Sequence, residues 1–123
     1  MRALDQIEDA AGVRPQFYRP PYGIATAATF WVTRSLGLTP VLWDARGRDW
    51  RAEATSAGVI RDVLRDVRGG STVLLHDSDC TSAPGSWRVT AGALRPLVQR
   101  LRAEGLIVGP LRDHAVGRTC CVS

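Results

Sequence analysis

The sequence predicts an α/β fold built on a parallel sheet. Two observations support this fold class: segments with helical and strand patterns alternate along the chain, and the connections between them are short. A third is that polar, reactive side chains follow the predicted strands. The 123 residues are enough for one domain with a real hydrophobic core.

The first half of the chain contains two predicted helices and two predicted strands. Residues 1–12 read as an amphipathic helix, because their apolar residues recur at helical spacing. Residues 16–18 form a short predicted strand. A helix is expected from about residue 26 to residue 36, and Gly37 is a typical helix stop. Residues 41–43 are apolar and predict a buried strand.

The second half repeats the same alternation. A polar loop over residues 44–53 leads to a helix that Thr55 or Ser56 can cap and that Gly69 and Gly70 end. The remaining predicted elements are a strand at 72–75, a helix ending at Gly105 and a last strand at 106–108.

Polar side chains come directly after the predicted strands. Arg19 follows the first strand, Asp44 and Asp49 follow the second, and His76 and Asp77 follow the third. The carboxyl ends of parallel strands share one face, where sites are built. We therefore expect these side chains to converge.

Three ordered motifs carry a family resemblance. They are Arg-Pro-Pro-Tyr-Gly at 19–23, Asp-Trp at 49–50 with Leu-Trp before it at 42–43, and Leu-Leu-His-Asp at 74–77. The set resembles the later motifs of the polysaccharide deacetylases, which are carbohydrate esterase family 4 with a NodB-like domain. The resemblance implies a parallel-stranded partial (β/α) barrel, about half of the family barrel. It also implies one partial domain over residues 1–123 that lacks the N-terminal, metal-binding half.

The resemblance implies specific catalytic roles. His76 would be the general acid, and an imidazole suits this task near neutral pH. Asp49 would stabilise the charged form of His76. Arg19 would match the arginine that holds the general-base Asp, and Tyr22 would offer its backbone N–H to the oxyanion. The substrate-binding residues would include Trp50.

Each of these residues also has a plainer interpretation. Leu74 would line the acetyl pocket with Trp50, but without the resemblance core packing is the better interpretation of Leu74. His76 could make a structural hydrogen bond, and Asp49 could pair with a neighbouring arginine. Asp44 is the alternative to Asp49 as the partner of His76. Trp31 and Trp43 are expected in the core, and Trp87 could contact a sugar ring.

The metal-binding motifs of the family, Thr-Phe-Asp-Asp and His-Thr-x-x-His, do not occur in the sequence. The resemblance implies a divalent metal, often zinc, in the complete family domain, and none is expected for this chain alone. His76, Asp77, Asp79 and Cys80 lie close together in sequence but not at a standard ligand spacing, so no metal is assigned to them.

Composition limits the classes of binding partner that the sequence predicts. The formal net charge is +4 and all 16 basic residues are Arg, yet these are scattered and are not interleaved with aromatic residues, so no nucleic acid is expected. No apolar run approaches the roughly 18 residues of a membrane span. No signal peptide is visible, and only the resemblance suggests the cell envelope or secretion. A disulfide between Cys80 and Cys120 or Cys121 depends on an oxidising compartment.

The function implied by the resemblance is metal-dependent removal of N-acetyl groups from an acetylated carbohydrate, with this chain alone inactive. The alternative is a non-catalytic remnant that binds carbohydrate or protein. A flavodoxin-like binding domain is a third interpretation. Exposed sheet edges of a half barrel would also favour self-association.

Overall fold

The structure is a computed structural model that describes residues 2–114. Contacts divide the described chain into two compact units, residues 2–42 and residues 43–114. Each unit is described by itself.

The first unit contains two helices and one pair of short strands. Its elements are α1 (Arg2–Ala11), β1 (Phe17–Tyr18), a 3-10 turn (Pro21–Gly23), α2 (Ala27–Ser35) and β2 (Thr39–Pro40). β1 pairs in parallel with β2, and Phe17 lies opposite Thr39. The buried side chains of this unit include Leu4, Leu38 and Val41.

Both ends of α2 are specified by the sequence. The Thr26 hydroxyl accepts a hydrogen bond from the Thr29 backbone N–H at 3.3 Å, and the Thr29 hydroxyl accepts the Thr26 N–H at 3.1 Å. This reciprocal cap satisfies two amides that a helix start leaves unpaired. Gly37, with φ of +70°, follows the helix in the left-handed region that favours glycine. The predicted helix over residues 26–36 is confirmed.

The second unit places two helices against one pair of parallel strands. Its elements are β3 (Ala45–Arg46), α3 (Ser56–Asp66), β4 (Val73–Leu74), α4 (Ser86–Ala103) and a 3-10 turn (Leu111–Asp113). β3 pairs with β4, with Ala45 opposite Val73. The core of this unit forms where α3 meets α4, around the buried side chains of Val63, Leu97 and Leu101.

Two glycines of this unit allow close approach. A Cβ on Gly47 would lie 2.7 Å from Val59 Cγ1 and 2.6 Å from Leu75 Cδ2. A Cβ on Gly92, in α4, would lie 2.7 Å from the Ser56 hydroxyl at the start of α3. A side chain at either position would collide with a neighbour, so the residue after β3 and the middle of α4 both lie unusually near α3.

The predicted strand at 41–43 is wrong. Thr39 and Val41 donate their N–H groups to residues 16 and 18, whereas Ala45 and Gly47 donate theirs to residues 72 and 74. The apolar run therefore spans a change of strand partner, and Leu42 within it is exposed. An unbroken run of apolar residues gives no signal for such a change.

The predicted strand at 106–108 is also wrong. The Leu106 N–H closes the end of α4 by donating to the Leu101 carbonyl at 2.9 Å, and Ile107 is 98% exposed.

Trp31 was expected in the core, but it is 73% exposed on α2.

The prediction of an α/β fold with parallel strands is confirmed by both strand pairs. That the chain forms about half of a barrel, as a single partial domain, stays a prediction. So does self-association through sheet edges. The tail cysteines Cys120 and Cys121 lie outside the described residues, and Cys80 is exposed.

We expect Gly47→Ala to lower the free energy of unfolding by about 1–3 kcal/mol, the usual cost of overpacking. Val59 is buried, and its branched side chain on a helix has little freedom to move away. Gly109→Ala is the matched control, because nothing lies within 4 Å of its added Cβ. Urea unfolding of both variants checks this. Equal stability of the two variants would contradict the close approach at Gly47.

Candidate acid–base site

A carboxylate and an imidazole meet beyond the carboxyl ends of β3 and β4. Asp49 lies three residues after β3, and His76 lies two residues after β4. Because the two strands are parallel neighbours, these loops leave the same edge of the pair. The Asp49 Oδ1 atom lies 2.9 Å from His76 Nδ1, and Oδ2 accepts the His76 backbone N–H at 2.6 Å.

The Asp49 carboxylate is fully buried, with 0% of the residue exposed. A third donor reaches it from α4: the Thr90 hydroxyl donates to Oδ2 at 2.6 Å. A buried charge is costly unless hydrogen bonds replace its water. Here the donors are two groups of His76 and one of Thr90.

These hydrogen bonds decide the ionisation of Asp49. Burial alone would raise its pKa, but the hydrogen bonds from Thr90 and from the His76 ring and backbone outweigh burial. The pKa of Asp49 is therefore lowered from its ordinary value, with a smaller contribution from the charge of His76. Asp49 is an anion at neutral pH.

An ionised Asp49 fixes the orientation of the His76 ring. Since the carboxylate can only accept, Nδ1 must carry a proton and donate it to Oδ1. Nε2 is then the nitrogen free to exchange a proton, and 33% of the side chain is exposed. The Trp50 ring stands edge-on to the imidazole, with ring centroids 5.5 Å apart.

The backbone before Asp49 is held in an uncommon conformation. Arg48 has φ of +52°, in the left-handed region that costs a non-glycine residue about 1–2 kcal/mol. The turn directly follows Gly47, which packs against Val59 and Leu75. This conformation leads the chain from the end of β3 into the buried position of Asp49.

The loop before α4 is attached to the same region. The Trp50 carbonyl accepts the Ala83 N–H at 3.0 Å, and the Asp79 carboxylate accepts the Gly85 N–H at 2.6 Å. Gly85, with φ of +78°, precedes the first residue of α4. Trp87, in the first turn, is 41% exposed and lies under the Arg88 guanidinium at 4.6 Å.

The other predicted site residues have different surroundings. Arg19 and Tyr22 belong to the first unit and are both exposed. Tyr22 is 82% exposed and has φ of +57°. Leu74 is 8% exposed on β4. Their catalytic and binding roles stay predictions.

Asp44, the alternative partner for His76, lies at the other end of the strand pair. It comes just before β3, where its carboxylate accepts the Thr72 N–H at 2.8 Å and the Ser71 hydroxyl at 2.9 Å. These contacts join the amino ends of β3 and β4. The structure brings Asp49, and not Asp44, to His76.

Sequence reasoning missed Thr90. The buried positions of α4 recur every three or four residues, and the set is Ser86, Thr90, Ala93, Leu97 and Leu101. A threonine in the middle of such a stripe was the available signal. It indicates a buried hydroxyl that needs a partner.

The described residues do not fit the family's metal. Across residues 2–114, no three His, Cys, Asp or Glu side chains are grouped so that they could hold a metal ion. Asp49, the most buried carboxylate of the site, already accepts three hydrogen bonds.

A groove of about 330 Å³ lies along α2 in the first unit. No helix between residues 2 and 114 has the length and apolar character to cross a membrane.

Comparison with known proteins identifies the class of protein. No family model matches the sequence. The chain is 31% identical over 122 residues to a bifunctional xylanase/xylan deacetylase of Cellvibrio japonicus, covering 99% of this chain and 17% of the relative. It is 35% identical over 100 residues to a chitooligosaccharide deacetylase of Azorhizobium caulinodans, covering 76% of this chain and 47% of the relative.

A solved structure agrees with these sequence matches. The family 4 carbohydrate esterase from Streptomyces lividans, in complex with acetate, superposes with a TM-score of 0.71 at 32% identity. The match covers 89% of this chain and 52% of that one. The chain thus spans about half, or less, of the relatives it matches.

Carbohydrate deacetylases are therefore the class to which the motifs, the fold and the relatives point. The chain is similar to polysaccharide deacetylases of carbohydrate esterase family 4 and matches part of their length. This confirms the resemblance drawn from the three motifs.

We expect Asp49→Asn to reduce the acid sensitivity of folding. Because the pKa of Asp49 is lower in the folded chain than in the unfolded chain, its ionisation stabilises the fold above about pH 4. That contribution is lost as the pH falls through the folded pKa. Between pH 5 and pH 2.5 the unmodified chain should therefore lose more stability than the Asn variant.

Urea unfolding across this pH range is the measurement. Asp77→Asn is the control, since Asp77 is an exposed carboxylate directly after His76 and should leave the pH dependence as it is. Parallel stability curves for Asp49→Asn and the unmodified chain would contradict the pKa direction.

Proposed function

We propose that this chain carries the general-acid side of a metal-dependent carbohydrate N-deacetylase, with His76 as the proton donor. The buried Asp49–His76 pair is the observation that supports this role. A strongly buried carboxylate bonded to one nitrogen of a partly exposed imidazole is an arrangement typical of acid–base catalysis.

The chemistry explains why such a group is needed. Hydrolysis of an amide passes through a tetrahedral intermediate, and the amine leaves only after its nitrogen is protonated. His76 would supply that proton from Nε2, because Nδ1 is bonded to Asp49. Asp49 is a positioning residue here: its negative charge stabilises the imidazolium, and its hydrogen bond fixes the ring.

The neighbours of His76 suit this role. The Trp50 ring packs edge-on against the imidazole and covers part of it from water. Together with the buried Leu74 side chain it would form an apolar surface for an acetyl methyl group. These contacts are the substrate-binding part of the proposal.

The first unit would contribute two further groups. Arg19 would hold the general-base carboxylate of the complete domain, and Tyr22 would offer its backbone N–H to the oxyanion. The positive φ of the exposed Tyr22 is a strained conformation of the kind that clusters at functional sites.

A divalent metal supplies the attacking hydroxide in this class of reaction. The residues that hold it would not come from 2–114, where no suitable group exists. We propose that this chain forms about half of the family barrel and is inactive by itself. The substrate would be an acetylated carbohydrate, as the names of the xylan and chitooligosaccharide deacetylases suggest. The cell envelope or the exterior is the proposed location.

A second candidate function is a non-catalytic module that binds carbohydrate or protein. The same lack of a metal-ligand group across residues 2–114 favours it. The two candidates differ in whether His76 transfers a proton.

The chain alone should neither bind zinc tightly nor release acetate from chitooligosaccharides. The reason is that three ligands are needed to hold zinc at a catalytic site and the described residues do not group them. Calorimetric zinc titration and an acetate-release assay, with and without added zinc, measure both properties. Stoichiometric high-affinity binding, or zinc-dependent acetate release, would contradict the proposal.

His76 can be tested where the rest of the domain is supplied. In a chimera, this chain replaces the matching segment of the Azorhizobium caulinodans chitooligosaccharide deacetylase. We expect His76→Ala to lower kcat by roughly two to four orders of magnitude, the usual contribution of a general acid. Zinc affinity should stay the same, because His76 is not a ligand in this proposal.

His114→Ala is the matched control, since this histidine bonds to the Ser71 carbonyl and not to Asp49. Asp49→Asn should cause a smaller loss than His76→Ala. Near-normal kcat in His76→Ala, or loss of its zinc binding, would show that His76 is not the acid.

A further inference from the structure

Within residues 2–114, the hydrogen bonds that Asp49 accepts come from only two residues. Of the three donors within the described chain, the backbone N–H and the ring Nδ1–H both belong to His76. The third is the hydroxyl of Thr90, 2.6 Å from Oδ2. The His76 ring is the group that Asp49 would orient, so the bond from its Nδ1 cannot provide an independent anchor, whereas the His76 backbone N–H and Thr90 both hold Oδ2. Thr90 is the donor that comes from a different element.

Thr90 is itself held firmly. It is 5% exposed, on the face of α4 that packs against α3. The Ser56 hydroxyl at the start of α3 donates to the Val89 carbonyl at 2.8 Å, one residue before Thr90. Gly92 lets the same Ser56 approach α4 closely. These two contacts fix the turn of α4 that presents the hydroxyl.

We propose that Thr90 is a positioning residue that sets the rotation of the Asp49 carboxylate and, through it, the orientation of the His76 ring. Without the hydroxyl, the His76 backbone N–H would be the one bond in the described chain that holds the carboxylate independently of the ring, and the carboxylate could turn more freely about its Cβ–Cγ bond. The proposal rests on the general-acid role of His76 for its catalytic consequence. The positioning itself does not depend on catalysis.

The charge around the carboxylate supports the same role. His76, from the end of β4, is the one titratable group in the described chain that acts on Asp49 through its charge, and α4 contributes the uncharged Thr90. After burial, the bond from Thr90 is the largest influence on the pKa of Asp49, and it lowers that pKa. A hydroxyl that donates to Oδ2 favours the anion that accepts from His76.

A matched pair of substitutions separates hydrogen bonding from packing. Thr90→Val keeps the branched shape and loses the hydroxyl, whereas Thr90→Ser keeps the hydroxyl and loses the methyl group. We expect Thr90→Val to raise the pH at which the Asp49 carboxyl carbon titrates in ¹³C NMR. We also expect a smaller fraction of the Nδ1–H tautomer of neutral His76 in ¹⁵N NMR. Thr90→Ser should match the unmodified chain in both measurements.

The same pair in the chimera measures the catalytic consequence. Thr90→Val should lower kcat by roughly tenfold with KM unchanged, similar to the loss of a partner behind a metal-bound histidine. Thr90→Ser should restore kcat. If the NMR changes occur while kcat stays normal, the positioning stands and the general-acid function of His76 fails.

Three outcomes would overturn the positioning role. One is a Thr90→Val variant with an unchanged Asp49 titration and an unchanged His76 tautomer, and another is a Thr90→Ser variant that behaves like Thr90→Val. The third outcome is measured on the unmodified chain, so it tests the positioning role even if Thr90→Val does not fold. In the unmodified chain the buried Thr90 hydroxyl proton should shift with the same midpoint as the Asp49 carboxyl carbon. A hydroxyl signal that does not follow Asp49 would contradict the proposal.

Discussion

The second unit depends on burying one carboxylate whose hydrogen-bond donors come from other parts of the chain. Asp49 is fully buried, and hydrogen bonds from His76 and Thr90 compensate for the loss of water, with a smaller contribution from the charge of His76. Those bonds come from the end of β4 and from the middle of α4, while Asp49 itself follows β3. Displacement of either element would remove at least one donor from a buried charge. The requirement to satisfy this carboxylate therefore fixes the loops of the site to one another.

A second carboxylate also connects two parts of the chain by hydrogen bonds, at the opposite end of the strand pair. Asp44 accepts from the Thr72 N–H and the Ser71 hydroxyl, where β3 and β4 begin. Each of these strands contains only two residues, so the sheet ladder offers few hydrogen bonds of its own. Side chains at both ends supplement the ladder. Of these two carboxylates, only Asp49, at the carboxyl ends of the strands, also contacts a histidine. Asp44, at the amino ends, joins the two strands through Ser71 and Thr72.

The sequence allowed much of this arrangement to be predicted, for identifiable reasons. Helix α2 is bounded by Thr26 and Gly37, residues whose capping chemistry is local. The position after parallel strands predicted that Asp44, Asp49 and His76 converge, and the family resemblance selected Asp49 as the partner of His76. The change of strand partner after Val41 was not predictable, because pairing is a long-range property and the run looks uniformly apolar. Thr90 was missed since it is 41 residues from Asp49 in sequence.

The close contact between Gly92 and Ser56 has a consequence for how this protein can vary. Position 92 is exposed and looks like an ordinary helix surface site, yet a single methyl group there would press on Ser56. Relief requires the Ser56 hydroxyl to rotate, which breaks its bond to the Val89 carbonyl, or α4 to move. Either change disturbs the turn of α4 that holds Thr90 against Asp49. A substitution on the exposed surface of this helix can therefore alter the hydrogen bonding of a buried carboxylate.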